Sequence, residues 1–351
     1  MDALDVHVTP EARQFVRHAP LHASPTPLVE LRGLDAGPCR VLAKLEYLNP
    51  TGSIKDRVAT DLIEDAEASG QLRPGMTIVE ASSGNATIAI GSAARRRGYR
   101  VLAFLPRGIS EEKRRLHSAL GVDFELFSPD PQRPFVNVRR EAALALAAAE
   151  PEQYYCFDQF SNPVNIRAHE RTTGAEIWRQ VRQLGGGIDH YFAGAGTGGS
   201  LVGVTRALKR PGRLPRMLAT MVDPDGSTLV DRFYRRQPDE RHQEAPDGLG
   251  ERFVPDNLDL GVADHAVAVT RADAVRTCAS LVRETGILAG PCTGYTLHAA
   301  LEWCRQQTEA RTALVLVCDR GENYLSDAQY AGAIAEAHGT RATVAAPAAA
   351  G

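Results

Sequence analysis

A regular alternation of strand-like and helix-like segments constrains this chain more than any other feature. Between residues 40 and 127, apolar strand patterns at 41–45, 77–81, 100–105 and 124–127 alternate with helical patterns at 54–68, 86–97 and 111–120. Strands that alternate with helices at this spacing form parallel sheets covered by helices on both faces. We therefore expect an α/β fold.

The alternation resumes after a break at Pro129-Asp130-Pro131 and a helical pattern at 136–150. Strand patterns follow at 154–157, 190–193, 217–222 and 313–318, with helical patterns at 164–184, 201–209, 272–285 and 296–307. The polar stretch 232–256 is predicted to be a long loop, and such loops in compact domains are usually functional or mobile. At 351 residues the chain is long enough for two domains.

Composition and charge argue against several kinds of partner. A hydrophobic content of 43% and a formal net charge of −3 give no reason to expect nucleic acid or a membrane surface. The six cysteines include no Cys-x-x-Cys pair and no His/Cys cluster at metal-ligand spacing, so no metal site is expected. The N-terminus lacks a basic-then-apolar signal pattern, which favours the cytoplasm.

Lys55 stands out because the chain uses arginine for nearly all its positive charge, with four lysines against 36 arginines. It follows a Pro50-Thr51-Gly52 turn and lies at the start of a predicted helix. Arginine stays protonated, whereas a desolvated lysine can lose its proton and form a Schiff base. Taken alone, a lysine at a helix start is more often a surface residue, so the neighbouring loops decide its role.

Two loops between a strand or turn and a helix contain polar groups that could bind a ligand at the carboxyl ends of the strands. The loop 82–85 places hydroxyl and amide groups at a helix N-terminus, a position that favours an anion such as a carboxylate. Ser83 or Asn85 could instead simply cap that helix. The loop 290–294 contains Cys292, and there Thr293 could likewise be a helix cap.

A third loop, 194–200, contains four glycines and two hydroxyl residues between a strand and a helix. Its backbone amides could approach a phosphate closely. Gly194, Gly196 and Gly199 also match the Gly-x-Gly-x-x-Gly dinucleotide pattern, with Asp223 placed as a ribose-binding acid. A nicotinamide-dependent oxidoreductase is therefore one alternative.

One cofactor would use all of these groups together. Pyridoxal 5'-phosphate needs an amine for its aldehyde, a cradle for its phosphate, and partners for its ring oxygen and ring nitrogen. Lys55, the loop 196–200, Asn85 and Cys292 supply these roles in turn. A dinucleotide would leave Lys55 and the loop 82–85 without a function.

Six phrases of the sequence resemble the cysteine synthase/cystathionine β-synthase family of fold-type II pyridoxal-phosphate enzymes, and they occur in that family's order. They span residues 25–330 approximately and are Lys44-Leu45-Glu46, Asn49-Pro50-Thr51-Gly52-Ser53-Ile54-Lys55-Asp56-Arg57, Ser83-Gly84-Asn85, Gln159-Phe160-Ser161-Asn162-Pro163, Gly196-Thr197-Gly198-Gly199-Ser200 and Asp319-Arg320-Gly321-Glu322-Asn323-Tyr324-Leu325-Ser326.

The resemblance implies a fold-type II, tryptophan synthase β-like α/β fold with two domains, each with a mostly parallel sheet flanked by helices. We expect a smaller mobile substrate-binding domain at 41–152 and a larger cofactor-binding domain at 1–40 plus 153–335. Residues 336–351 are expected to be a disordered tail. The resemblance also implies a homodimer.

The resemblance assigns roles to individual residues as well. Lys55 would form the internal aldimine with pyridoxal phosphate and then move the α-proton. Asn85 would face the ring oxygen, Cys292 the ring nitrogen, and the phosphate would be held by Gly196, Thr197, Gly198, Gly199 and Ser200. Gly248 would lie near the substrate amine, and the substrate carboxylate would be held by Ser82, Ser83, Gly84 and Gln159.

Two positions depart from the family pattern. Ala86 replaces a threonine and so removes a hydroxyl donor to the substrate, and Cys292 replaces a serine. A thiol is a weak hydrogen-bond donor but is neutral like serine. It would leave the ring nitrogen largely unprotonated, which suits loss of a β-substituent over transamination.

The expected reaction is therefore β-replacement on an activated serine, O-acetylserine or O-phosphoserine, through an α-aminoacrylate. Sulfide as the nucleophile would give cysteine, and an amine would give a 2,3-diaminopropionate derivative. Ala86 and the arginine-bearing loop 232–252 favour a specialised acceptor. The alternatives are a dehydratase or β-elimination lyase on the same cofactor, and a non-enzymatic binding partner that keeps the fold.

Overall fold

A computed structural model describes residues 25–82, 84–133, 136–237 and 248–339. The elements of its first part are β1 (Leu28–Leu31), β2 (Arg40–Lys44), α1 (Lys55–Ala68), β3 (Thr77–Ala81), α2 (Asn85–Arg95), β4 (Arg100–Pro106), α3 (Glu111–Ala119), β5 (Asp123–Phe127) and α4 (Val138–Ala149). The predicted alternation of strands and helices is confirmed here.

The second part continues the same pattern. Its elements are β6 (Tyr154–Cys156), α5 (Val164–His169), α6 (Ala175–Gln183), β7 (His190–Gly194), α7 (Gly199–Leu208), β8 (Leu218–Pro224), α8 (Thr228–Phe233), β9 (His265–Val269), α9 (Arg271–Thr285), α10 (Pro291–Arg305), β10 (Thr312–Leu316) and α11 (Ala328–Ala337).

The strands form two mostly parallel sheets, as the resemblance implied. The larger sheet has the order β1-β2-β10-β7-β8-β9, in which only the β1–β2 pair is antiparallel. The smaller sheet has the order β5-β4-β3-β6, and its pairs are all parallel. The fold class is therefore the α/β arrangement expected from the sequence.

The central strands are buried on both faces, which explains why they read as continuous apolar runs. In β10, Ala313 and Val315 pack into one core, whereas Leu314 and Leu316 pack into another. These alternate residues point to opposite faces of the sheet. In the smaller sheet all five residues of β3 are buried, and α1 and α2 pack together beside it.

Some element boundaries differ from those predicted. The helix predicted at 164–184 is divided by a π-helical segment, Glu170–Gly174, which packs closely against α7. The edge strands β1 and β9 and the helices α8 and α11 were not predicted. The two strands are short and lie at the edges of the larger sheet, where sequence patterns are weak. Helix α10 begins at Pro291, five residues before the predicted start, because proline is favoured in the first turn.

Two strands pair in a different sheet from the one that the expected domain boundaries at residues 41 and 152 imply. Strand β2 pairs with β10 in the larger sheet, and β6 pairs with β3 in the smaller one. Hydrogen bonding between strands distant in sequence decides this membership, so local pattern could not reveal it. Of the expected tail, residues 336–339 are described and include the end of α11, whereas 340–351 lie outside the described residues.

Candidate active site

A single cleft collects most of the residues that the sequence singled out. It lies where α1, the loop after β3 and the loop after β7 come together. Its lining includes the sequence-predicted residues Lys55, Ser82, Asn85, Gln159, Gly196, Thr197, Gly198, Ser200, Gly248 and Cys292. The predicted residues Gly84 and Gly199 do not line the cleft, although each is next to a residue that does. The predicted residue Ser83 lies outside the described residues.

Lys55 is the first residue of α1, and its side chain reaches into this cleft. Gly52 enters the preceding turn with φ of 83°, a conformation that glycine adopts without strain. Within the described part of the chain, the Lys55 amine makes no hydrogen bond or ion pair. Burial lowers the pKa of Lys55, and the nearby Cys318, Cys292, Glu80 and Glu251 oppose that shift. The amine is therefore easier to deprotonate than that of an exposed lysine.

The glycine-rich loop between β7 and α7 is packed against other parts of the protein. A Cβ on Gly196 would lie 2.3 Å from the Gly248 carbonyl oxygen, and one on Gly199 would lie 2.0 Å from Asn165 Oδ1. Asn165 Nδ2 donates a 2.9 Å hydrogen bond to Thr197 Oγ1. The glycines are thus required by contacts within the protein, and the loop is fixed at the N-terminus of α7.

The loop after β3 is held by local hydrogen bonds. Gly84 N donates to Ser82 Oγ at 2.9 Å, and Gln159 Nε2 donates to the Ala81 carbonyl at 2.7 Å. Gly84 has φ of 128°, which an L-residue rarely adopts. Ala86, which replaces the family's threonine, is buried in the first turn of α2 and is not a lining residue.

Cys292 lies in the first turn of α10, on the side of the cleft next to Gly194. A Cβ on Gly194 would approach the Cys292 sulfur to 3.4 Å and would clash with Leu249 at 2.6 Å. The segment 248–250, which lies within the predicted polar loop 232–256, therefore packs against the glycine-rich loop. Residues 238–247 of that predicted loop lie outside the described residues.

Three acidic residues of the site were not identified from the sequence. Glu251 and Asp319 line the cleft, and Glu80 is buried in β3. Burial raises the pKa of Glu80 to about 8, with a further contribution from Asp158. An acid inside the apolar run Thr77–Ala81 is an unusual residue for a buried strand, and that was the available signal.

Asp223 does not serve as the ribose-binding acid of the dinucleotide alternative. It is fully buried, accepts hydrogen bonds from the Ser227 hydroxyl and from Gly250 N, and does not line the cleft. Burial raises its pKa to about 7. Its role in this structure is to fix the segment at 250 against β8.

Two other kinds of feature are absent from the part of the chain that the structure describes. None of its helices has the length and apolar character needed to cross a membrane. None of its His, Cys, Asp and Glu side chains form a group of three or more able to hold a metal ion.

Comparison with known proteins accounts for this arrangement. Residues 19–319 match the family model described as pyridoxal-phosphate dependent enzyme. This chain belongs to that family. Cysteine synthase A of Escherichia coli (strain K12) is 36% identical over 307 residues, which cover 87% of this chain and 93% of that protein. Cysteine synthase of Staphylococcus aureus (strain N315) is 34% identical over 306 residues, covering 87% and 94%.

Solved structures agree with the sequence relatives. The structure of O-ureido-L-serine synthase superposes with a TM-score of 0.80 at 33% identity, covering 90% of this chain and 96% of that one. A hydrogen sulfide-producing enzyme from Fusobacterium nucleatum gives a TM-score of 0.77 at 29% identity, covering 88% and 100%. The chain is a pyridoxal-phosphate-dependent, cysteine synthase-like enzyme that performs β-replacement on serine derivatives, as the resemblance implied.

The groups that line the cleft fit pyridoxal phosphate. Lys55 provides an amine without a protein partner in the described residues. The loop 196–200 brings hydroxyls and the unpaired N–H groups of a helix start, which together favour a phosphate. Asn85 Nδ2 is a hydrogen-bond donor, and the Cys292 thiol lines the same cleft.

Proposed function

We propose that the substrate is a serine whose hydroxyl carries a leaving group, O-acetylserine or O-phosphoserine. The observation that carries this proposal is the environment of the Lys55 amine. Among the described residues that line the cleft, Lys55 is the only lysine, it has no partner, and burial lowers the pKa of its amine. Such an amine can hold the cofactor and, when it is unprotonated, can also accept a proton.

The other residues in and next to the cleft that the sequence singled out divide between cofactor and substrate. Asn85 would bind the ring oxygen of the cofactor and Cys292 would face its ring nitrogen, and the phosphate would be held by Gly196, Thr197, Gly198, Gly199 and Ser200. The substrate amine lies near Gly248, and the substrate carboxylate is bound by Ser82, Ser83, Gly84 and Gln159.

When bound, pyridoxal phosphate withdraws electrons from the substrate's α-carbon, which allows the α-proton and then the β-substituent to leave. Lys55 takes the α-proton and returns it after the nucleophile has added at the β-carbon. The lining of the cleft includes apolar side chains such as Ile54 and Phe160, and burial within it lowers the pKa of the Lys55 amine.

A buried carboxylate favours an amine as the nucleophile. Glu251 lines the cleft with 7% of its surface exposed, and its charge acts on Lys55. A carboxylate at this position repels the hydrosulfide anion, whereas an amine that reacts in its neutral form meets no such repulsion. The product would then be a 2,3-diaminopropionate derivative, with cysteine as the product if sulfide reacts instead.

Absorbance spectroscopy of the purified protein tests the proposed donor. The wild type should show a visible band of bound cofactor that changes on addition of either O-acetylserine or O-phosphoserine, whichever is the true donor. Lys55→Ala should lack the band. Lys209→Ala is the matched control and should keep it, because Lys209 pairs with Asp264 on the surface, 2.6 Å away. A wild type that stays colourless with added pyridoxal phosphate would contradict the proposal.

Product analysis separates β-replacement from elimination and identifies the nucleophile. Pyruvate and ammonia formed without a nucleophile would favour the dehydratase or lyase alternative. With Glu251→Gln, we expect the rate with sulfide to rise relative to the rate with amines. An unchanged ratio would remove the support for an amine.

We also propose that the smaller sheet with its helices, near residues 41–152, forms a domain that closes over the substrate, and that the enzyme is a cytoplasmic homodimer. Light scattering on the purified protein tests the dimer, and X-ray solution scattering with and without the donor tests the closure.

A further inference from the structure

A chain of buried hydrogen bonds leads from the cleft to a second lysine. Asn85 Nδ2 donates to Asp319 Oδ2 at 2.7 Å, and the Tyr324 hydroxyl donates to the same oxygen at 2.5 Å. Lys113 Nζ in turn donates to the Tyr324 hydroxyl at 2.8 Å. Asp319, Tyr324 and Lys113 are 1%, 4% and 2% exposed.

Chemistry alone fixes the direction of every bond in this chain. An ammonium group can only donate, and a carboxylate can only accept. The Tyr324 hydroxyl must therefore accept from Lys113 and donate to Asp319. For the same reason, the amide atom of Asn85 next to Asp319 is its NH2 group, whose second hydrogen stays available.

The chain joins the two sheets. Asn85 begins α2 and Lys113 lies in α3, and both helices follow strands of the smaller sheet. Asp319 and Tyr324 follow β10 of the larger sheet. The series of hydrogen bonds therefore begins and ends at helices of the smaller sheet, and its two middle residues belong to the larger sheet. All of its bonds can form only when the two parts of the protein are in contact.

The surroundings restrict which residues can occupy these positions. A Cβ on Gly84 would lie 2.8 Å from Lys113 Cδ, so the lysine stem packs on the loop that contains Asn85. The ammonium group also lies 4.2 Å from the centre of the Tyr324 ring. The Lys113 ammonium is a compact group, whereas arginine would bring a wider guanidinium to the same position.

We propose that Asp319, Tyr324 and Lys113 are positioning residues for the cofactor. Asp319 fixes the Asn85 amide so that its second N–H points to the cofactor's ring oxygen. Lys113, acting through Tyr324, holds the Asp319 carboxylate in place. This assignment rests on the proposed role of Asn85, and it adds a coupling between cofactor binding and the contact of the two sheets.

The decisive measurement is the dissociation constant of pyridoxal phosphate, together with the position of its absorbance band, for the full-length protein. Asp319→Asn should weaken binding about tenfold and shift the band, because an amide partner no longer dictates which atom Asn85 presents. Tyr324→Phe removes only the hydroxyl and should change both in the same direction by a smaller factor. It keeps the test available if Asp319→Asn folds poorly.

A double-mutant cycle distinguishes positioning from simple stabilisation. If Asp319 acts through Asn85, adding Asp319→Asn to Asn85→Ala should weaken cofactor binding no further. Ser326→Ala is the matched control, since it removes a 2.6 Å hydrogen bond to Glu112 at the same contact between α3 and the segment after β10. It should leave the dissociation constant within about twofold of the wild type.

Three outcomes are separable. An unchanged band and dissociation constant in Asp319→Asn, or full additivity with Asn85→Ala, would overturn this assignment and leave the proposed function intact. Equal losses in the Ser326→Ala control would also overturn it, since any disruption of the contact would then suffice. A wild type without a cofactor band would overturn the proposed function and this assignment together.

Discussion

Arg57 and Glu176 form a two-bonded ion pair in the protein interior, with Nη1 to Oε1 at 2.7 Å and Nη2 to Oε2 at 2.8 Å. The same guanidinium contacts Glu46 through Nε at 2.5 Å, and Lys44 Nζ donates to Glu176 at 2.7 Å. The charges of two carboxylates and of two cationic side chains thus neutralise one another in the protein interior. Because Arg57 lies two residues after Lys55, this network anchors the start of α1 to the larger sheet.

Removing Arg57 should strongly destabilise the protein. Arg57→Ala leaves Glu46 and Glu176 buried with too little positive charge, and we expect a loss of about 3–5 kcal/mol in the free energy of unfolding. Arg57→Lys keeps the charge but cannot make the paired bonds, so its loss should be intermediate. Urea denaturation measures both. Arg171→Ala, which removes a surface pair with Asp61, is the control and should cost at most about 0.5 kcal/mol. A loss in Arg57→Ala no larger than in the control would contradict the role of the network.

The attachment of the cofactor should depend on the lowered pKa of Lys55. Only the unprotonated amine can react with an aldehyde, and burial lowers the pKa of this group from its ordinary value of 10.5. We therefore expect the rate of band formation, measured after adding pyridoxal phosphate to cofactor-free protein, to rise with pH and level off below that value. A rate that is still rising steeply above pH 10.5 would show that the amine is an ordinary one.

A methyl group on Gly196 should disturb both the glycine-rich loop and the cofactor. Its Cβ would lie 2.3 Å from a backbone oxygen at Gly248, which cannot move without shifting that segment. We expect Gly196→Ala to weaken binding of pyridoxal phosphate by about tenfold or more and to lower the melting temperature. Gly108→Ala is the matched control, because its Cβ would meet no atom within 4 Å. Similar binding in the two variants would refute the close-packing explanation.

Glu80 should make stability depend on pH. Burial raises its pKa from 4.5 to about 8, so the folded protein holds this proton more tightly than the unfolded chain does. The resulting stability is fully present below about pH 4.5 and is lost as the pH rises through about 8. Relative to Glu80→Gln, the wild type should lose at least about 1 kcal/mol of unfolding free energy between pH 5 and pH 8.5. Denaturation curves of both proteins with saturating cofactor provide the comparison, and a pH-independent difference would exclude the raised pKa.

Local patterns were sufficient to predict the elements that carry the candidate site. As predicted, three segments of the site each lead directly into a helix. They are the turn before Lys55, the loop before α2 and the glycine-rich loop before α7. Their positions follow from spacing along the chain, and the parallel topology then brings their ends to one side of the sheets. The edge strands and the division of the helix at Glu170–Gly174 depend on contacts with distant residues, which local patterns do not contain.

The acids show the limit of sequence reasoning most clearly. The phrase beginning at Asp319 was recognised as a family match, yet nothing in it indicated a hydrogen bond to Asn85, 234 residues earlier. Conversely, Asp223 matched a ribose-binding pattern but is buried on Ser227 and Gly250. The residue type alone does not distinguish a carboxylate that faces a ligand from one that is buried in the protein interior.

By itself, the sequence determined the α/β class, the single unusual lysine and the loops that accompany it, because these follow from periodicity, turn chemistry and residue type. Only the tertiary structure decided which side chains share the cleft, that the Lys55 amine lacks a protein partner in the described residues, and that Lys113 reaches Asn85 through two intermediates. The physical reason is that desolvation and hydrogen-bond direction depend on neighbours in space, and those neighbours lie more than 200 residues apart in the chain.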